Sequence, residues 1–377
     1  MAMFNAKIHL YPTAVYTILA AVMLVMVEPI QAAPLTPQEQ LGKNVFLDTQ
    51  LSEPAGQACT SCHAAGAGFA DLDQNLPVSE GVIPGRFGNR NSPSAAYATF
   101  SPPFTLKGGI KGGQFWDGRA ANLTEQAKGP FLNPVEMNNS SPAQVIGKIQ
   151  VSAYAGLFTQ VCGANAFDPA NTVAAYHCMA SAIAAFEATS ELNPFTSKFD
   201  AFLTGRYVLT LQEDRGRRLF AGKGKCTHCH VDNGTPVVFS DFTYANIGLP
   251  TNREYPFSLL NPIPLDRGLG GFLNDRRQDG KFKTSHLRNI ALTAPYMHNG
   301  VLKTLKQVVH FYNTRDALPK CNPALGTLDP GFGVSCWAVP EFPQTMDSSF
   351  MGNLGLTDAE EDAIVAFMSA FTDGAVP

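Results

Sequence analysis

The sequence predicts a mainly α-helical protein with two domains and long loops. Two short segments, residues 42–46 (GKNVF) and residues 216–220 (GRRLF), resemble each other and lie in stretches whose apolar residues recur with helical spacing. Each segment precedes a short motif of two cysteines and a histidine, so both halves of the chain repeat the same order of features. Such a repeat favours two related domains over one continuous fold.

Helix boundaries can be predicted from capping residues and composition. Thr210 and Thr357 are each followed three residues later by glutamate, which is the pattern of a capping box. The first box predicts the entry helix of the second domain, and the second predicts a last helix that extends to Phe371. The apolar-rich residues 172–189 predict the helix that closes the first domain.

The predicted domains comprise residues 34–205 and residues 206–377. Each contains a long stretch rich in glycine and proline, residues 79–113 and residues 231–280, for which we expect loops. The chain has 377 residues, of which 45% are hydrophobic and 15% charged, and this is enough to form two apolar cores. Its formal net charge of -4 argues against nucleic acid as a partner.

The N-terminus has the features of a secretory signal. Lys7 precedes an apolar stretch at residues 14–27, and the small residues Ala32 and Ala33 follow. A membrane anchor is the alternative, but about fourteen apolar residues are short for a bilayer. We therefore expect residues 1–33 to be a signal peptide, and the mature chain to be in the periplasm with no membrane attachment.

Four of the eight cysteines predict covalent haem attachment. They lie in Cys59-Thr-Ser-Cys62-His63 and Cys226-Thr-His-Cys229-His230, which match the C-x-x-C-H pattern. The two thiols can bond the vinyl groups of one porphyrin while the histidine binds its iron. The alternatives are a redox dithiol or half of a zinc site, but two copies in an exported chain favour two c-type haems, each in a cytochrome c-like domain.

The remaining four cysteines lie in two near pairs, Cys162 with Cys178 and Cys321 with Cys336. We expect two local disulfides, with free buried thiols as the alternative. Closing loops of this length would stabilise the fold by roughly 3 kcal/mol each.

Nearly the whole mature chain resembles the bacterial dihaem cytochrome c peroxidases and their relative MauG. The resemblance rests on long motifs that occur in the family's order: RNSP at 90–93, FWDGR at 115–119, EQAKGP at 125–130, NPVEM at 133–137 and LRNIALTAPYMHNG at 287–300. It implies an oxidoreductase in which the N-terminal haem reacts with hydrogen peroxide and the C-terminal haem transfers electrons.

The resemblance also implies roles for individual residues. His63 would be the proximal ligand of the reactive haem, and Glu136 the acid and base that moves a proton between the peroxide oxygens. Gln126 and Pro130 match neighbours of the peroxide pocket. Trp116 matches a tryptophan between the two haems, where it can carry an electron or simply pack in the core.

A calcium site between the two halves is a further implication of the resemblance. Asn91, Thr293 and Pro295 match its ligands, which are mostly carbonyl and amide oxygens suited to a hard cation.

Two departures from the peroxidase pattern distinguish this chain. Residues 80–90 contain no histidine, although many of these peroxidases have one there that caps the reactive haem, so we expect that haem to be open without prior reduction. Tyr312 stands where the peroxidases have the distal methionine of the other haem, and the MauG branch has tyrosine at the matching place. We expect His230 and Tyr312 to ligate that iron, with Met297 and His310 as rivals for Tyr312.

These features leave three functions open. A MauG-like enzyme would use peroxide to form a high-valent dihaem state that oxidises side chains, tryptophans above all, on a secreted substrate protein. A peroxidase would reduce peroxide to water with electrons from a small cytochrome or cupredoxin, and a dihaem electron carrier would not react with peroxide. The missing histidine and Tyr312 favour the first. Gly224 and Lys225 replace the surface tryptophan that MauG has before its second motif, so the partner or electron route must differ.

Overall fold

The computed structural model describes residues 34–374, and the predicted signal peptide lies outside them. The fold is mainly α-helical, as predicted, with one small antiparallel ribbon among the described residues. Its helices are α1 (Pro37–Leu47), α2 (Leu123–Ala127), α3 (Gly129–Leu132), α4 (Pro142–Gln150), α5 (Ala155–Cys162), α6 (Thr172–Glu187), α7 (Lys198–Leu203), α8 (Leu211–Ala221), α9 (Leu269–Leu273), α10 (Leu305–Thr314) and α11 (Asp358–Ser369), and its strands are β1 (Tyr244–Ala245) and β2 (Phe282–Lys283). None of the helices within residues 34–374 has the length and apolar character that a membrane crossing requires.

The predicted helix boundaries agree with these elements to within two residues. α6 begins at Thr172 as expected, and α11 ends two residues before Phe371. Both capping boxes form: the hydroxyls of Thr210 and Thr357 accept hydrogen bonds from the third residue of α8 and of α11.

The repeated segments make the same kind of helix crossing. Gly42 of α1 packs on α6, and a Cβ atom there would lie 1.9 Å from the carbonyl oxygen of Ala182. Gly216 of α8 packs on α11, with the corresponding distance to the Ala363 carbonyl also 1.9 Å. A side chain at either glycine would push the two helices apart, so the repeat encodes two close helix pairs.

Two large hydrophobic clusters form the core. The buried members of the first lie between Leu41 and Leu192, and those of the second between Phe199 and Phe371. Residues 35–374 nevertheless belong to one compact unit, and the domain boundary at residue 205 stays a prediction.

Ion pairs connect residues from the two halves. The Arg90 guanidinium donates hydrogen bonds to Asp117 (2.7 Å) and, through two nitrogens, to Asp266 (2.7 Å each). Arg288, whose side chain is fully buried, pairs with Asp200. The predicted disulfides Cys162–Cys178 and Cys321–Cys336 both form and close local loops.

Candidate functional site

The first C-x-x-C-H motif begins on a short 3-10 turn, Cys59–Ser61, which follows α1 in the chain. Both thiols are free. The turn brings the His63 amide to the Cys59 carbonyl (2.9 Å), so the thiols and the imidazole leave the same short loop. The His63 Nδ1 donates to the Phe69 carbonyl oxygen (3.1 Å), which fixes the ring and leaves Nε2 for a metal.

This motif opens into an N-terminal cavity of about 1250 Å³, partly open to solvent. His63, Trp116, Gln126, Pro130 and Glu136, all predicted from the sequence as parts of one site, line this cavity together. Members of the first hydrophobic cluster, Phe46 and Ile183 among them, form the rest of the wall.

Glu136 lies in an environment that favours its neutral form. Burial raises the pKa of its carboxyl group, although the nearby Arg119 charge and a hydrogen bond from the Asn133 amide to Oε1 (2.7 Å) act in the opposite direction. A raised pKa makes this carboxyl group a better proton acceptor than an exposed one.

The loop formed by residues 79–90 borders the same cavity and is fastened to the Glu136 segment. The Val82 amide donates to the Glu136 carbonyl (2.9 Å), and an Arg86 nitrogen donates to the Pro134 carbonyl (3.2 Å). Gly81 approaches so closely that a Cβ atom would lie 2.3 Å from the Val135 carbonyl oxygen. Among the described residues that line the cavity, His63 is the sole histidine.

Glu187 is a cavity residue that the sequence did not reveal. It ends α6, is 5% exposed, lines the N-terminal cavity and has no hydrogen-bond partner for Oε2 in the described part of the chain. Burial raises its pKa to about 8. The sequence contains one indication that Glu187 is unusual: it is the single Asp, Glu, Lys or Arg in the otherwise apolar-rich helix α6.

The second C-x-x-C-H motif repeats this arrangement. Its cysteines are free, and the His230 Nδ1 donates to the Phe239 carbonyl (2.9 Å). The motif opens into a C-terminal cavity of about 1310 Å³, whose wall includes Phe220 and Ile364 of the second hydrophobic cluster.

The candidates for the sixth ligand differ in where they lie. Tyr312 and Met297 line the C-terminal cavity together with His230. His310 does not line it, because its Nδ1 lies 3.0 Å from an oxygen of Glu361 on α11. Of these three candidates, the phenol of Tyr312 and the thioether of Met297 remain, and Tyr312 lies on a regular helix, α10.

Trp116 lies between the two cavities and lines both. Its indole nitrogen donates to the Asn91 carbonyl (2.8 Å), and its own carbonyl accepts from the Lys283 amide (2.8 Å). The ring is thus held in a fixed position between the two motifs.

A third cavity of about 780 Å³, the central chamber, adjoins both motif cavities. Its wall includes the three predicted calcium ligands Asn91, Thr293 and Pro295. The Asn91 amide nitrogen donates to the Pro77 carbonyl (3.0 Å), which leaves the side-chain oxygen available to a cation.

Two free C-x-x-C-H motifs, each opening into a cavity walled by core residues, fit two covalently bound c-type haems. The class defined by this fold and site is that of the dihaem c-type oxidoreductases.

Comparison with known proteins identifies the family within this class. The model of the di-haem cytochrome c peroxidase family matches residues 36–207. The methylamine utilization protein MauG of Paracoccus denitrificans is 37% identical over 350 residues, which cover 88% of each chain. Cytochrome c551 peroxidase of Pseudomonas aeruginosa is 34% identical over 293 residues, covering 75% of this chain and 74% of that protein.

A solved structure supports the same assignment. The dihaem peroxidase BthA from Burkholderia thailandensis superposes with a TM-score of 0.77 at 32% identity, covering 91% of this chain and 88% of BthA. The chain belongs to the dihaem cytochrome c peroxidase family, whose members are oxidoreductases with two c-type haems.

Proposed function

We propose that this protein is a periplasmic enzyme of the MauG type, which uses hydrogen peroxide to oxidise side chains, mainly tryptophans, on a secreted partner protein. The observation that carries the proposal is the N-terminal cavity, where Glu136 is present and His63 is the sole histidine among the described lining residues. Two bound haems would supply the redox chemistry, since together they can hold the two oxidising equivalents of one peroxide.

In this proposal, Cys59, Cys62 and His63 hold the haem at which peroxide reacts. Glu136 takes the proton from one peroxide oxygen and returns it to the other, the transfer that cleavage of the bond between them requires. Asn133 orients the carboxyl group through the 2.7 Å hydrogen bond. Gln126 and Pro130 limit the space in which peroxide can lie.

The loop at residues 79–90 supports an open reactive site. Its contacts with the Val135–Glu136 backbone hold it beside the cavity, and it has no imidazole to place on a metal. The site is therefore accessible to peroxide in the fully oxidised protein. A peroxidase that needs reductive activation would need a removable ligand at this place.

Cys226, Cys229 and His230 would hold the second haem, and Tyr312 would provide a further ligand to its iron. An anionic phenolate favours oxidised iron over reduced iron, so this haem would be hard to reduce and suited to sharing oxidising equivalents. Trp116 lines both cavities and provides an aromatic side chain between the two motifs. A calcium ion at Asn91, Thr293 and Pro295 would be held mainly by oxygen atoms of the chain and water.

The second candidate function is reduction of peroxide to water with electrons from a small cytochrome or cupredoxin. The 34% identity to a cytochrome c551 peroxidase favours it, and Glu136 would serve it equally. A non-enzymatic carrier is set aside, because the family consists of oxidoreductases.

Anaerobic addition of one equivalent of peroxide to the diferric protein tests the proposal. We expect a long-lived product, two electrons more oxidised than the resting protein, to form without prior reduction and to be visible in optical, near-infrared and Mössbauer spectra. If no reaction occurs until the protein is half reduced, the chain is an ordinary cytochrome c peroxidase.

A second experiment separates the two enzymatic functions once the first has succeeded. The oxidised product is mixed either with a reduced small cytochrome or with secreted proteins encoded beside this one, and the partners are analysed by mass spectrometry. Mass changes on tryptophan support side-chain oxidation. Rapid multiple turnover with the cytochrome, and unmodified partners, support the peroxidase.

A further inference from the structure

The central chamber has a charge pattern that the proposed function does not explain. Lys283, His286 and Arg288 line it, and none of the described residues in its wall is an aspartate or glutamate. The Ser285 hydroxyl adds a further hydrogen-bond donor, whereas the hydroxyls of Ser94 and Thr293 donate to the carbonyls of Gly68 and Ile290. A space lined by cations and donors, with no carboxylate of its own, is suited to an anion.

Unsatisfied donors point to the same conclusion. His286 has a buried Nδ1 with no hydrogen-bond partner in the described part of the chain. Arg288 is 1% exposed and pairs with Asp200, yet its Nε and Nη1 atoms also have no partner there. Buried donors of this kind are costly unless a ligand or water satisfies them.

The location of the chamber beside the C-terminal cavity indicates which anion would bind there. Lys283, Ser285 and His286 line both the chamber and the C-terminal cavity, so they form the wall between the two spaces. The C-terminal cavity likewise has no aspartate or glutamate among its described lining residues. A c-type haem carries two propionate groups, which are its only charged substituents, and the cavity in which Cys226, Cys229 and His230 would hold a haem shares this cationic wall with the chamber.

We propose that Lys283 and His286 bind the propionate carboxylates of the C-terminal haem at the border of the central chamber. This inference rests on the proposed binding of that haem at His230. The Lys283 ammonium would provide the charge and the His286 imidazole a hydrogen bond. Burial lowers the pKa of Lys283 to about 8, and an anion beside the ammonium would act in the opposite direction by stabilising its charged form.

The site also affects the calcium ion proposed for the same chamber. A divalent cation at Asn91 and Thr293 would share the chamber with Lys283 and Arg288, which repel it. Propionates in the chamber would provide the negative charge that the chain lacks there. Calcium binding should therefore depend on the haem being in place.

The test uses the haem-loaded full-length protein and measures the midpoint potential of the C-terminal haem by spectroelectrochemistry. Lys283→Met removes a positive charge that favours the reduced haem, so we expect its ferric-to-ferrous equilibrium to shift about tenfold toward ferric, which is about 59 mV for one electron. Lys281→Met is the matched control, because Lys281 lies two residues away and lines neither space. Lys283→Arg keeps the charge and should stay close to the unchanged protein.

Infrared difference spectra of reduction, with the propionate carbons labelled with ¹³C, provide an independent measurement. We expect ionised carboxylate bands that shift in Lys283→Arg and His286→Gln but not in Lys281→Met. If Lys283→Met does not fold, Lys283→Arg and His286→Gln still test the inference. Equal potentials in Lys283→Met and Lys281→Met, or propionate bands that none of the variants changes, would overturn the inference. Neither measurement uses peroxide, so both remain valid if the MauG-type activity is absent.

Discussion

At the scale of single residues, two carboxyl groups face the N-terminal cavity: Glu187 is buried and Glu136 is half-buried. Glu136 has an amide partner and a guanidinium nearby, whereas an oxygen of Glu187 has no partner within the described residues. Burial raises the pKa of both. Only Glu136 combines this with an orienting hydrogen bond, and this is the reason to assign it the proton transfer.

Glu136→Gln should slow the reaction with peroxide by about 10²- to 10⁴-fold, because the amide cannot accept the proton. Stopped-flow mixing of the diferric protein with peroxide measures the rate. In the unchanged protein the rate should fall as the pH drops through the raised pKa of Glu136, since the protonated form cannot act as the base. Glu125→Gln, at an exposed acid on α2, is the control and should keep the full rate. An unchanged rate in Glu136→Gln would remove Glu136 from the mechanism.

Sequence patterns predicted the haem-attachment residues but not Glu187, and the reason is physical. The cysteines and histidines of the two motifs are fixed by the spacing that haem attachment requires, so they are visible in the sequence alone. Glu187 belongs to no such motif, and a glutamate at the end of a helix is usually solvated. Its burial depends on how α6 packs, which the sequence does not state.

At the scale of elements, α10 shows how a helix separates rival ligands. Leu305, Val308, Val309 and Tyr312 line the C-terminal cavity with the spacing of one helical face. His310 lies on another face, against Glu361. The periodicity of this helix could have separated Tyr312 from His310 without a structure, but not from Met297, which lies in a loop.

Tyr312→Met should raise the midpoint potential of the C-terminal haem by roughly a few tenths of a volt, because a thioether stabilises reduced iron better than a phenolate does. Spectroelectrochemistry and the ferric absorption spectrum give the result. Met297→Leu and His310→Gln are the controls and should leave both unchanged. A lost ferric signature in Met297→Leu, with Tyr312→Phe unaffected, would make Met297 the ligand.

Substitution of the glycine at either helix crossing should lower the stability of the folded protein. Gly42→Ala and Gly216→Ala place a methyl group against backbone atoms, so each should lower the free energy of unfolding by about 1 to 3 kcal/mol or more. Denaturant unfolding of the haem-loaded protein measures the change. Gly147→Ala, within α4 and with nothing within 4 Å of the added atom, should instead stabilise by about 0.5 to 1 kcal/mol. Equal effects at all three positions would contradict the close crossings.

At the scale of the whole molecule, loops hold the two halves together. The sequence predicted long loops at residues 79–113 and 231–280 but gave no periodicity from which their contacts could be inferred. In the structure these loops provide Arg90 and Asp266, whose side chains form one ion-pair cluster with that of Asp117. Such contacts depend on chain paths that local patterns do not encode.

Asp266→Asn should lower the free energy of unfolding by about 1 to 3 kcal/mol at neutral pH, since Arg90 loses one charged partner and keeps Asp117. Burial alone would raise the pKa of Asp266, but the hydrogen bonds and charge of Arg90 outweigh it and hold the pKa below its usual range. The stabilisation is therefore complete above the unfolded-state pKa and is lost as the pH falls through the lowered pKa.

Unfolding of Asp266→Asn and of the unchanged protein at several pH values measures this. The difference between them should be constant from neutral pH down to about pH 4 and should shrink below it. Asp232→Asn, at an exposed position, is the control and should have little effect at any pH. A difference that grows on acidification would contradict the pairing.

The walls of the two motif cavities have a consequence for how the protein is made. Phe46 and Ile183 on one side, and Phe220 and Ile364 on the other, belong to the hydrophobic clusters and also face the cavities, so a bound haem completes each core. Attachment of the cofactor and final folding should then be coupled steps of one maturation route. A host without cytochrome c maturation should yield a chain that proteases degrade, however well the gene is expressed.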